Sequence, residues 1–106
     1  MTDVDDLVSL IAQSYTVASD GQQIAAETAR DVWASISSVS RSEWHSAALD
    51  GLQAELVVTT PAVNYAGEKI AEVHGVRYGV YRTYFPKESD MVELYLENKA
   101  GVTYVS

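Results

Sequence analysis

The chain has 106 residues, enough for one domain with its own core, and 47% of them are apolar. It contains no cysteine, which excludes disulfides, thiolate metal ligands and cysteine nucleophiles. Fifteen acidic side chains against seven basic ones give a formal charge of −8, which argues against binding phosphate backbones over the whole surface. The missing cysteine suits a reducing compartment. No apolar run reaches the ~20 residues of a bilayer-spanning helix. The start, Met1-Thr2-Asp3-Val4-Asp5-Asp6, is acidic where a secretory signal would be basic. The expectation is a soluble protein, made and used without export and without a membrane.

In chain order, residues 3–20 are ambiguous. Val4, Leu7, Val8 and Ile11 have helical spacing, while Ser9 to Val17 also reads as extended. Asp20-Gly21 is a hairpin-type turn signal. Gln22 to Arg30, with its Ala and Gln content, favours helix by propensity alone. Val32 to Val39 alternates as a strand, with Val32, Ala34 and Ile36 on one face and Trp33, Ser35 and Ser37 on the other. Ser40-Arg41-Ser42-Glu43 is a capping box that starts a helix over Arg41 to Asp50. Trp44, Ala47 and Ala48 form its apolar face, and Gly51 is placed to end it in a left-handed conformation.

Glu55 to Thr60 reads as extended and stops at Pro61, and Tyr65 to Glu68 as a turn. Lys69 to Val73 is a short strand closed by His74-Gly75. Four aromatics then fall within eight residues, Tyr78 to Phe85, a density that pleated sheets accept and helices disfavour. Simple alternation puts Tyr78 and Tyr84 on one face and Tyr81 and Phe85 on the other, so both faces should be covered, by the core on one side and a partner subunit on the other. Arg77 then points with Tyr81, and Arg82 with Tyr78, as ion-pair partners for the many acids. After a turn around Lys87 to Asp90, Val92, Leu94 and Leu96 alternate with Glu93, Tyr95 and Glu97 as a half-buried antiparallel strand. Short strands at this spacing predict a mainly β chain, a small antiparallel barrel or sandwich with one short helix at about 41–50 inserted between strands.

No pattern of reactive residues emerges. Asp3, Asp5 and Asp6 lack the glycine and distal glutamate of a calcium loop and read as a solvated terminus. His45 and His74 have no metal-ligand spacing and read as surface or partly packed residues. Glu68, Glu72, Glu93 and Glu97 would need burial to act as an acid/base pair, and carboxylates on strands face solvent by default. The serines between 35 and 42 fit no nucleophile elbow, and Gly75 to Gly79 fits no phosphate loop. No cofactor or metal is expected, and no enzymatic activity.

The order of segments carries more. Ser38-Val39-Ser40-Arg41-Ser42-Glu43, Ala47-Ala48, Gly51-Leu52, Tyr65-x-Gly67-Glu68-Lys69-Ile70, Gly75-Val76-Arg77-Tyr78, Tyr81-Arg82-Thr83-Tyr84, Glu93-Leu94-Tyr95 and Lys99-Ala100-Gly101-Val102 follow one another. Together they resemble the head–tail connector proteins of tailed bacteriophages, nearest the head-closure (stopper, head–tail joining) group, over about residues 28–102 of one connector-like domain. The resemblance implies a small barrel-like domain that assembles as a homo-oligomeric ring in the virion, beneath the portal and adaptor and above the tail-completion protein. It implies contact with packaged DNA in the channel without sequence recognition, and residence in the host cytoplasm before assembly. It implies extended structure over 22–32, against the local helix propensity. The segment that reaches into the channel in known members matches Arg41 to Gln53, with Arg41, Ser42, Glu43, Trp44, His45, Gly51, Leu52 and Gln53 as its candidates. Arg77, Tyr78, Tyr81, Arg82, Tyr84 and Tyr95 become candidates for scaffold or subunit contact. An acidic DNA-mimic inhibitor and a small ligand-binding barrel remain as readings from other classes.

Overall fold

A computed structural model of the chain describes residues 4–98. Among the described residues six antiparallel strands and one α-helix follow in the order β1 (Val4–Val17), β2 (Gln23–Ser38), α1 (Arg41–Leu49), β3 (Ala54–Pro61), β4 (Ile70–Val73), β5 (Val76–Tyr84) and β6 (Met91–Glu97). A single 3-10 turn, Ala62–Asn64, follows β3. The strands hydrogen-bond in a closed ring, β1-β2-β3-β6-β5-β4, with β4 returning to β1. The fold is thus the mainly β architecture with one inserted helix that strand spacing predicts.

Alternation fills the interior. Val8 and Leu10, Val32 and Ala34, Val58, Ala71 and Val73, Tyr78, and Val92, Leu94 and Leu96 form one core cluster, a contribution from every strand. Full burial of each Leu or Val stabilises by roughly 1.5–3 kcal/mol relative to exposure. Thr60 is also buried, and its hydroxyl donates to the Trp33 carbonyl at 2.9 Å, so the polar group is satisfied. The β4–β5 connection is a two-residue turn in which His74 and Gly75 both have positive φ, 52° and 80°. Such turns match the twist of an antiparallel pair.

From Val4 to Ser38 the chain is extended on both sides of a single turn. β1 and β2 pair over fourteen positions, from Val4↔Ile36 to Val17↔Gln23. Extended structure therefore prevails over the helix propensity of Gln22 to Arg30, as the resemblance implies, and the ambiguous stretch before it is strand from Val4 to Val17. Pairing with a long neighbouring strand outweighs the few tenths of a kcal/mol per residue that Ala and Gln offer to a helix. β4 pairs with β1 only at Val8 to Ile11, and β3 pairs with β2 only at Ser35 to Ser38. Beyond those contacts β1 and β2 continue as a two-stranded arm, ending in a turn where Ala18 N–H reaches the Gln22 carbonyl at 2.7 Å. The molecule measures 53 × 30 × 26 Å.

The aromatic strand departs from simple alternation. Val80 pairs with Leu96 and Arg82 with Tyr95, so Tyr81 is an inserted residue at a β-bulge. Tyr78 points into the core, 7% exposed, while Tyr84 is half exposed on the outside. Tyr81 and Arg82 share the outer side, and Arg82 does not point with Tyr78. Within the single chain Tyr84 and Phe85 stay exposed on the outer side.

Candidate functional site

The surface carries two features, the first of them built from residues singled out in the sequence. The first surrounds α1. Ser40 is extended (φ −69°, ψ 163°) and its hydroxyl accepts from the Glu43 N–H at 3.0 Å, as the capping box predicts. At the other end Gly51 has φ +78°. Its N–H reaches the Ala48 carbonyl at 3.0 Å, and Leu52 N–H reaches Ala47 at 2.9 Å, a Schellman ending. The expected apolar face is corrected: Ala47 is buried, but Trp44 is 53% exposed and Ala48 is also exposed. The helix sits on the outside of the barrel, where a nine-residue segment offers its partner little area.

Electrostatics hold it there. The Glu43 carboxylate turns away from the helix start and accepts from Tyr81 Oη at 2.5 Å and Arg82 Nη2 at 2.6 Å. Arg82 lies over the Tyr95 ring, its Cζ 3.9 Å from the centroid. Tyr81 and Tyr95 meet edge to face at 6.3 Å, and Tyr95 Oη donates to Glu93 at 2.7 Å. Burial pushes the Glu43 carboxyl up, but the Tyr81 and Arg82 hydrogen bonds outweigh it and hold the group below its ordinary value. Burial and the facing carboxylate push the Tyr81 phenol well above its ordinary range. An open depression of about 400 Å³ lies beside this cluster, bordered by Glu43, Asp50, Leu52, Tyr81 and Arg82. A second one follows the helix start from Val39 to His45.

The structure thus joins members of both candidate groups: Glu43 from the helical segment with Tyr81, Arg82 and Tyr95 from the strands. Arg41, Ser42, Trp44, His45 and Gln53 remain exposed around α1. Tyr78 stands apart inside the barrel, its hydroxyl donating to Glu55 at 3.1 Å. Arg77 makes a fork to Glu27 at 2.9 and 3.0 Å and lies 3.5 Å from Glu72, so both arginines are ion-paired as expected. His74, exposed at its turn, pairs with Asp6, which turns one of the three N-terminal acids from free solvation to a specific contact.

The second feature is the arm. Its base is fixed on two sides, by the Arg77–Glu27 fork and by Arg30, which donates to Glu68 at 2.8 Å and to the Asn64 carbonyl at 2.6 Å. Glu68 is buried, contrary to the default for strand and turn carboxylates, and it also accepts from the Ala66 N–H at 2.8 Å. Burial opposes its ionisation, but these donors hold it ionised below its ordinary value. Glu97 is likewise buried. Beyond the base, Tyr15 (62%), Val17 (70%) and Ile24 (53%) are exposed. Sequence reasoning did not single these out, although Tyr15-Thr16-Val17 before Asp20-Gly21 is a run of strand formers followed by a hairpin turn.

Among the described residues no group of three potential ligands is placed to hold a metal ion, and no helix is long and apolar enough to cross a membrane. Comparison with protein-family models and with curated protein sequences finds no match.

Proposed function

We propose that this chain is a structural virion protein of a tailed phage or prophage. It forms a ring at the head–tail interface, joins the portal and adaptor to the tail, and helps retain packaged DNA without catalysing a reaction. The order of motifs from Ser38 to Tyr95 is one support. The observation that carries the reading is the attachment of α1. A segment inserted between two neighbouring barrel strands rests on the wall through one buried alanine and one carboxylate clamp. Such a segment can change position while the barrel stays closed, which a channel element requires.

The competing readings have less to stand on. Glu27, Glu43, Glu68 and Glu72 all face arginines, which removes them from any DNA-mimicking row of free carboxylates. The barrel interior is packed with side chains, Val8, Leu10, Val58, Val92, Leu94 and Leu96 having no exposure at all. That favours a structural core over a ligand cavity.

Removing Arg41 to Gln53 and bridging the gap with a short glycine linker should leave the barrel folded by circular dichroism. Particles assembled with that variant should package DNA and then lose it, read as DNA retained per head after purification. Full retention would remove the stopper role and leave the joining role standing. The unaltered protein alone should scatter light as a monomer or weak associate, and a tight dimer that ignores an adaptor ring would overturn the reading.

A further inference from the structure

The tip of the arm is unusual in what it lacks. From Ala12↔Thr28 to Val17↔Gln23 the two strands pair only with each other among the described residues. A two-stranded ribbon is marginal in water, and a third strand is normally needed for independent stability. Protein edges that must not pair are guarded by Lys, Pro or inward charges. Residues 12–28 contain no Lys, no Arg and no Pro, and their charges are Asp20 at the turn and Glu27, which Arg77 holds at the base. Beside polar Gln, Ser and Thr, the exposed side chains include the large apolar Tyr15, Val17 and Ile24.

The hydrogen-bond phase defines what the edges offer. The Ala18–Gln22 bond makes 18↔22 a bonded pair, so alternation leaves Tyr15, Val17, Gln23 and Ala25 with their N–H and C=O groups directed outward. These groups lie on opposite edges, β1 on one side and β2 on the other. Charge then selects the occupant. The chain carries −8 in total, and almost none of it lies on the arm. A basic partner would be drawn to the acidic barrel. A second copy of the chain is repelled by that barrel and meets least repulsion at the arm.

We propose that the arm is the self-association surface, with the β1 edge of one arm pairing antiparallel to the β2 edge of the arm in a second copy. β1 and β2 run in opposite directions, so neighbouring arms that point the same way bring unlike edges together. Each copy keeps one free edge for the next, and repetition closes a crown of hairpins. Pairing like edges would stop at two chains. The proposal rests on the ring reading for its closure, while the pairing itself stands on the arm.

The absence of cysteine permits a direct test in the full-length protein. Thr16→Cys and Ile24→Cys variants, which sit opposite each other within the arm, are prepared separately and treated with a short bis-maleimide at high protein concentration. The mixture should yield several-fold more cross-linked dimer than either variant alone. Like-with-like products only, or no inter-chain product, would overturn the proposal. Ala25→Pro removes one outward N–H and no bond within the arm, and should lower the mixed product roughly tenfold. An undiminished yield from a variant with an unchanged melting midpoint would also overturn it. Because only purified chain is used, the two readings fail separately: arm cross-links from a chain that ignores an adaptor ring would remove the head–tail reading and keep the arm, and adaptor binding without arm cross-links would do the opposite.

Discussion

Glu43 occupies a position where two demands compete. A capping box would send its carboxylate back to the helix start, yet the side chain reaches across to Tyr81 and Arg82. Charge-assisted bonds are stronger than neutral ones, which decides the contest. Its depressed pKa fixes a sign. The contribution is fully present above the ordinary value of 4.5 and is lost as pH falls through the lower folded value. Glu43→Gln should cost about 1 kcal/mol at neutral pH, since Arg82 is 44% exposed and solvent screens part of the pair. The variant should also lose less stability than the parent between neutral pH and pH below 4.5. Urea unfolding at both pH values checks this, and parallel losses in the two proteins would exclude the clamp as the source. The partner of Glu43 was not legible in the sequence, because the bulge at Tyr81 leaves no mark in Val80-Tyr81-Arg82. The burial of Glu68 was hidden for a related reason: its partner Arg30 lies in a distant strand.

Elements bounded by local chemistry were legible. Ser40 and Gly51 delimit α1 because caps act within one turn. β6 and the second half of β2 follow their apolar alternation because one face of each is buried. The arm was legible only in its turn at Asp20-Gly21 and through the resemblance, since both of its faces meet solvent and no alternation is imposed on Gln23 to Ala26. Gly51→Ala tests the helix as a unit. Nothing lies within 4 Å of an added Cβ, so the cost is that of the left-handed backbone alone, about 1 kcal/mol. Amide exchange in α1 should accelerate while exchange in β6 stays as it was. Equal acceleration in both would mean that the helix does not move independently of the barrel.

At the scale of the molecule, the ring of strands is held unequally. β1 and β2 share fourteen pairs, whereas β1 and β4 share four, from Val8↔Val73 to Ile11↔Ile70. Val8 and Val73 are 73 − 8 = 65 positions apart in the chain, so their meeting carries a loop-closure cost that neighbouring hairpins escape. Contacts of that separation form slowly. The expected sequence of events is that hairpins form first and the β1–β4 seam zips last. The same seam should breathe first in the native state, so the amides bonded across it should exchange ahead of those between β3 and β6. Uniform protection around the ring, read by hydrogen exchange with mass spectrometry, would contradict this order. A wall that closes last at one long-range seam gives a newly made chain a brief life as a curled, open sheet, and its survival then depends on how fast two strands far apart in the sequence find each other.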